Sequence, residues 1–77
     1  MIVKVHITLK KGVLDPQGKA IGQALQSLGF DEVGNVRQGK FIEIDVPEGT
    51  DKTRVAQMCE KLLANPVMED YTIEVAS

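Results

Sequence analysis

The sequence predicts a single α+β domain, residues 1–77, with the element order β-α-β-β-α-β. Three observations predict it: strict apolar alternation near both ends of the chain, two segments with apolar residues at helical spacing, and short connections rich in turn residues. Right-handed crossovers then place both helices on one face of a four-stranded antiparallel sheet, in the ferredoxin-like split βαβ arrangement. The other face of that sheet is expected to be open.

The first strand and first helix have the clearest signals. Residues 2–10 alternate apolar with polar side chains, which is typical of a half-buried strand. The first helix is predicted over residues 16–28, because Asp15 can cap it and Pro16 suits its first position. Gly29 is predicted to end the helix, because glycine readily adopts the left-handed backbone conformation found after the last helical turn. The apolar stripe of this helix is predicted to be Ala20, Ile21, Ala24, Leu25 and Leu28.

The middle of the chain predicts a hairpin, with strands over residues 33–37 and 40–46 and a tight turn at Gln38 and Gly39. The first arm is the weaker, because Gly34 and Asn35 are poor strand formers.

A second helix is predicted from Thr50 or Asp51 to the stop at Asn65-Pro66, and a last strand over residues 71–75. The apolar stripe of the second helix is Val55, Met58, Cys59, Leu62 and Leu63. In the expected strand order, the first strand lies between the third and the fourth. Its outward Lys4, His6 and Lys10 are therefore predicted to neighbour Glu43, Asp45 and Glu74.

The composition excludes several classes of function. Nine Lys and Arg against eleven Asp and Glu, with a pI near 5.2, argue against a nucleic-acid partner. The single cysteine permits neither a disulfide framework nor a Cys-based zinc site. The sequence has no secretory signal pattern and no apolar run of membrane-spanning length, so a cytoplasmic protein without membrane contact is expected.

The sequence predicts no catalytic, cofactor-binding or metal-binding residue. His6 lies among carboxylates, but no nucleophile accompanies it, and a surface histidine is the favoured interpretation. Cys59 is interpreted as core filling. No phosphate-loop pattern is present, and the turn from Arg37 to Lys40 is either a small anion site or a solvated turn.

Gly18 and Gly22 lie within the first turns of the predicted helix, where each glycine costs about 1 kcal/mol relative to alanine. At i and i+4 they form a flat strip that another backbone can approach. Two interpretations stay open. The strip is either a contact surface or a pair of tolerated substitutions.

Three segments closely resemble the PurS family, the small subunit of phosphoribosylformylglycinamidine (FGAM) synthase in purine biosynthesis. They are GVLDPQGKAI, VRQGKFIEI and MCEKLLANPVMEDYTIEV, and the resemblance spans essentially the whole chain. It implies a non-catalytic assembly subunit of a glutamine-dependent ligase. This subunit would join a glutaminase subunit to a large synthetase subunit that uses ATP and Mg²⁺, so that ammonia from glutamine reaches formylglycinamide ribonucleotide on the route to IMP.

The resemblance further implies a homodimer or tetramer and no cofactor bound by this chain. The subunit-contact candidates are Asp15, Gln17, Gly18, Gly22, Arg37, Lys40, Glu69 and Asp70. The alternative is a small effector-binding regulatory domain, in which the first loop and the N-terminus of the first helix hold an anion.

Overall fold

Three strands and two helices make up the computed structural model, which describes residues 1–76. The elements are β1 (Ile2–Leu9), α1 (Pro16–Ser27), β2 (Gly39–Asp45), α2 (Lys52–Met58) and β3 (Glu69–Ala76), with a π-helical segment, Cys59–Leu63, directly after α2. Both neighbours of β1 run antiparallel to it, in the sheet order β2-β1-β3. No helix within residues 1–76 has the length and apolar character needed to cross a membrane.

The central position of β1 confirms the expected neighbours of the first strand. Lys4 lies opposite Glu43 on β2 and Glu74 on β3, as predicted. Asp45 instead lies opposite Ile2, and Lys10 pairs with Asp70 rather than with one of the predicted carboxylates. His6 is on the same face as Lys4, with its Nε2 3.7 Å from a carboxylate oxygen of Glu74. Its ring centroid lies 4.9 Å from that of Phe41. This face is a mixed-charge surface with few apolar interruptions.

The prediction of a four-stranded sheet is wrong, because residues 33–37 form no strand. The predicted tight turn at Gln38 and Gly39 is wrong as well, since Gly39 begins β2 and pairs with Thr8 of β1. Gly34 and Asn35 weaken any strand here. The segment instead lies along α1, and the sheet of the described residues keeps three strands.

The buried core lies between the sheet and α2. It consists of Val3, Val5, Ile7, Val46, Val55, Cys59 and Ala64. Cys59 is fully buried, which confirms its interpretation as core filling, and this burial raises the pKa of its thiol. Residues 1–10 and 39–76, which contain the three strands, α2 and the π-helical segment, are called the sheet half below.

The prediction that both helices cover one face of the sheet is also wrong. Within the described residues, α1 contributes no side chain to the core. Ile21 and Leu28 of its predicted apolar stripe are 43% and 73% exposed. Residues 11–38, called the α1 lobe, therefore extend away from the sheet. The Cα radius of gyration is 15.6 Å, whereas a compact domain of this length has about 11 Å.

The second helix changes its winding at Cys59. The amide of Ala64 donates to the carbonyl of Cys59 over 2.8 Å, five residues back, which is the π-helical pattern. The wider turn shifts the residues after Cys59 around the axis, so Leu62 is 84% exposed instead of continuing the predicted apolar stripe. Asp51 caps α2 through a 3.0 Å bond from the Thr53 amide.

Candidate subunit-contact surface

Asp15 joins α1 to the segment that precedes β2. Its Oδ1 accepts from the amide of Gly18 over 2.8 Å, which confirms the predicted helix cap. Its Oδ2 accepts from the amide of Gln38 over 2.9 Å. The hydrogen bond from the Gln38 amide lowers the pKa of Asp15 most, and the bond from the Gly18 amide lowers it next. The positive charge of Arg37 lowers this pKa further. One carboxylate therefore fixes both the start of α1 and the end of the 33–38 segment.

Gly18 and Gly22 are both buried against the same segment of their own chain. A Cβ on Gly18 would lie 2.5 Å from the carbonyl oxygen of Val36, closer than real side chains come. A Cβ on Gly22 would lie 3.3 Å from Cγ2 of Val36. The flat glycine strip thus does receive another backbone, and that backbone is the chain's own 34–36 segment.

An open groove of about 640 Å³ lies between α1, the loop after β1 and the 34–37 segment. Its lining includes four cationic side chains, namely Lys10, Lys11, Lys19 and Arg37. The lining also includes Asp15, whose carboxylate already accepts the Gly18 amide at the start of α1. The helix N-terminus that the regulatory alternative uses to hold an anion is therefore already capped by a carboxylate of the same chain.

Glu69 and Asp70 have intrachain partners that the sequence did not indicate. Glu69 Oε1 accepts from the amide of Asn65 over 2.7 Å, and its Oε2 lies 3.6 Å from Nζ of Lys40. Asp70 Oδ1 lies 3.5 Å from Nζ of Lys10. These pairs connect β3 to β2 and to the residue after β1. They lie at the end of the sheet nearest α1, where β1 ends and β2 and β3 begin.

Seven of the eight candidate residues line two grooves at this end of the molecule. Asp15, Gly18, Gly22 and Arg37 line the larger groove. Gln17, Lys40 and Glu69 line a smaller groove of about 360 Å³. Asp70 belongs to the same region through its ion pair with Lys10, which lines the larger groove. The structure therefore brings together residues that are 55 positions apart in the chain, from Asp15 to Asp70.

Sequence reasoning also missed the exposed apolar side chains around α1. They are Leu14, Ile21, Leu28 and Phe30, which are 43–85% exposed. A signal was present in the composition of the helix, since Lys19 is the only charged residue of α1. A surface helix facing water normally carries more charge than this.

Comparison with known proteins identifies the family. The family model described as "PurS: Phosphoribosylformylglycinamidine (FGAM) synthase" matches residues 2–77. The chain belongs to the PurS family. It is 51% identical over 76 residues to the phosphoribosylformylglycinamidine synthase subunit PurS of Bacillus subtilis (strain 168), with 95% of this chain and 89% of that protein covered.

Solved structures of the family are similar along the whole chain. PurS of Methanocaldococcus jannaschii, described as one of the subunits of formylglycinamide ribonucleotide amidotransferase in the purine biosynthetic pathway, is 47% identical with a TM-score of 0.87, covering 99% of this chain and 95% of its own. A chain from the structure of PurLQS of Thermotoga maritima is 32% identical with a TM-score of 0.76, covering 96% of each chain. The predicted identity as an FGAM synthase subunit is confirmed.

Proposed function

We propose that this chain is the assembly subunit that holds a glutaminase subunit and an ATP-dependent synthetase subunit in a fixed relation within FGAM synthase. Ammonia released from glutamine then reaches formylglycinamide ribonucleotide directly. ATP and Mg²⁺ are used by the synthetase subunit, and the complex works in the cytoplasm. The observation that carries this proposal is the similarity to a chain of the Thermotoga maritima PurLQS structure over 96% of both chains.

The chemistry of ammonia explains why such a subunit is needed. Ammonia that enters water is protonated at neutral pH and is then no longer a nucleophile. Holding the glutaminase and synthetase subunits in a fixed relation makes the transfer of ammonia intramolecular. This raises the effective concentration of ammonia at the second active site. A flat body with extents of 48 × 27 × 14 Å offers large surfaces to two partners without a large core.

The shape of the contact surface supports binding to larger partners. Gln17 and Arg37 are exposed and flank the two grooves, whereas Asp15, Gly18 and Gly22 hold the grooves in shape from inside. We infer that Gln17 and Arg37 contact the partner subunits directly. We infer that the buried glycines act by positioning the 34–37 segment.

Reconstitution tests this function. The chain, mixed with the synthetase and glutaminase subunits, is expected to restore glutamine-dependent formation of FGAM. Ammonia-dependent formation by the synthetase subunit serves as the control and is expected to be unchanged. Equal glutamine-dependent rates with and without this chain would contradict the proposal.

A matched pair of variants localises the contact. Arg37→Glu is expected to lower glutamine-dependent activity, because it reverses the charge at the groove. Lys52→Glu reverses an exposed charge at the start of α2, away from both grooves, and is expected to leave activity unchanged. Thermal unfolding of both variants separates lost contact from lost folding. Equal effects of the two substitutions would place the contact elsewhere.

The regulatory alternative makes a different prediction for the isolated chain. A regulatory domain would show a rise in melting temperature with its effector, because a ligand that binds only the folded state stabilises it. We expect no rise with purine nucleotides or glutamine, because the Asp15 carboxylate occupies the start of α1. A saturable rise would favour the regulatory function.

A further inference from the structure

The larger groove concentrates positive charge in a chain that is acidic overall. Its lining contains four of the nine Lys and Arg residues of the chain and one of the eleven Asp and Glu residues. The formal net charge of the whole chain is −2. Gathering like charges in one place costs free energy unless an opposite charge lies close to them. The charge distribution therefore indicates that this groove faces an anionic partner.

Only part of this positive charge is neutralised within the chain. Lys10 forms an ion pair with a carboxylate of β3, and Arg37 is near enough to Asp15 to lower the pKa of its carboxyl. Lys11 and Lys19 form no ion pair among residues 1–76, and both are exposed. Lys11 follows β1, whereas Lys19 belongs to α1. The groove thus presents two uncompensated positive charges from two separate segments of the chain.

The rest of the lining suits a polypeptide better than a small ligand. Within the described residues, the groove has no aromatic side chain, and its apolar lining consists of Val13, Leu14 and Val36. Small-molecule sites are usually lined mainly by hydrophobic and aromatic side chains. Here Gln23 and Asn35 instead place amide groups at the surface, where they can bond to a peptide backbone. A nucleotide base would find no stacking partner, whereas an acidic segment would find both cations and amide groups.

The larger groove lies on the side of α1 opposite its exposed apolar residues. Successive helical residues are about 100° apart. Lys19, Gln23 and Gln26 of the groove therefore lie on one side of the helix axis. The exposed side chains of Ile21 and Leu28 lie on the other side. A molecule that packs against Ile21 and Leu28 leaves the groove open, so the two sides of α1 are separate surfaces that suit partners of different chemistry.

We propose that the larger groove binds an acidic segment of one of the other two subunits of the synthase, with Asp or Glu side chains of that segment paired to Lys11 and Lys19. The contact rests on the proposed function as an assembly subunit and adds the chemistry by which a partner is recognised. Hydrogen bonds between an ammonium and a carboxylate are stronger than bonds between neutral groups. Charge pairs at an interface chiefly speed association and select the correct partner. The groove therefore contributes specificity to the assembly.

Binding at two salt concentrations tests the contact. Fluorescence anisotropy of the labelled chain measures its binding to a mixture of the synthetase and glutaminase subunits. The double variant Lys11→Gln with Lys19→Gln is expected to raise the dissociation constant about tenfold at low salt. This difference is expected to vanish near 1 M salt, where the Debye length falls to about 3 Å. Lys52→Gln with Lys61→Gln removes the same charge from exposed positions outside both grooves and is expected to bind like wild type.

Binding and activity are separate readouts, so the groove contact and the proposed function can fail independently. Binding that depends on Lys11 and Lys19, without restored glutamine-dependent activity, would support the groove contact and contradict the assembly function. Restored activity with equal dissociation constants for the two double variants would support the assembly function and overturn the groove contact. A wild-type chain that binds neither partner subunit would overturn both.

Carbodiimide cross-linking of the assembled complex identifies the bound segment. The reagent joins a lysine amine to a carboxylate in contact with it, and it takes up the water lost from the new amide bond to become a urea. Lys11 and Lys19 are expected to be linked to Asp or Glu residues within one segment of one partner subunit, and Lys52 and Lys61 are expected to form far fewer links. Links to a second copy of this chain, equal links from all four lysines, or no link from Lys11 and Lys19 would overturn the proposal.

A small anion is the competing occupant of the groove. The isolated chain is expected to show no change in melting temperature with inorganic phosphate. A saturable rise that is lost in the double variant Lys11→Gln with Lys19→Gln would assign these cations to a small anion and overturn the proposal.

Discussion

The sheet half and the α1 lobe are held together by different interactions. The sheet half contains all seven buried apolar residues of the core, packed between the sheet and α2. The α1 lobe has two buried glycines and the hydrogen bonds of Asp15. Apolar burial stabilises the sheet half, whereas the α1 lobe depends on close backbone packing and on the carboxylate of Asp15. A chain of this size can thus present a helix to a partner without sacrificing its core.

The largest effect is expected for a core truncation in the sheet half. Ile7 is 1% exposed at the centre of the sheet. Ile7→Ala is expected to lower the free energy of unfolding by about 2–5 kcal/mol, from lost burial and the cavity left behind. Leu14→Ala removes a comparable apolar side chain that is 85% exposed in the α1 lobe. Its effect is expected to stay within about 0.5 kcal/mol. Urea unfolding measures the free energy of unfolding of both variants. Similar losses for Ile7→Ala and Leu14→Ala would contradict the assignment of the apolar core to the sheet half.

The next effect tests the glycine packing of the α1 lobe. Gly18→Ala forces a Cβ to within 2.5 Å of a backbone oxygen that cannot move alone. We expect a loss of about 1–3 kcal/mol from this overpacking. Gly22→Ala meets a methyl group of Val36 at 3.3 Å and gains helix propensity of up to about 1 kcal/mol. The net change in unfolding free energy for Gly22→Ala should therefore be smaller than that for Gly18→Ala. Thermal unfolding that ranks the two variants the other way would contradict the assigned contacts.

A smaller, pH-dependent effect is expected at Asp15. The pKa of this carboxyl in the folded chain is below its ordinary value of 3.8, so the ionised form stabilises the fold. This contribution is fully present above pH 3.8 and is lost as the pH falls through the lower folded pKa. Asp15→Ala is therefore expected to destabilise the chain at pH 7 and to have little effect at low pH, where the carboxyl group is protonated.

Asp51→Ala is the matched control for Asp15→Ala, because Asp51 caps α2 through one local hydrogen bond and has no bond to a distant segment. Its effect at pH 7 is expected to be smaller than that of Asp15→Ala. Urea unfolding at pH 7 and near pH 3 provides the comparison. A loss for Asp15→Ala that grows as the pH falls would contradict the assigned role of the carboxylate.

The sequence predicted the parts of the fold that depend on local patterns. The alternation in residues 2–10 predicted β1, and the signals of Asp15 and Pro16 predicted the start of α1. The charge neighbours of Lys4 followed from the strand order. These features are set by residues close in sequence or by a pattern that only one register satisfies.

The errors arose where a local pattern has more than one tertiary use. The apolar stripe of α1 fits a sheet or a second chain equally well, and periodicity does not distinguish them. The strand predicted over residues 33–37 failed because that segment packs on Gly18 and Gly22, a contact that no local pattern of the segment encodes. Glu69 has partners at Asn65 and Lys40, and the Lys40 pair exists only once β2 and β3 lie beside β1.

The central claim is that the core of this chain supports the sheet half but not α1. Amide hydrogen exchange on wild type and on Gly18→Ala tests it most directly, because exchange reports local opening segment by segment. A Cβ at Gly18 disturbs the contact with the Val36 carbonyl oxygen, so the amides of α1 are expected to lose protection by about tenfold or more while those of β1 keep theirs. If β1 loses as much protection as α1, the two parts of the chain unfold together and the account is wrong.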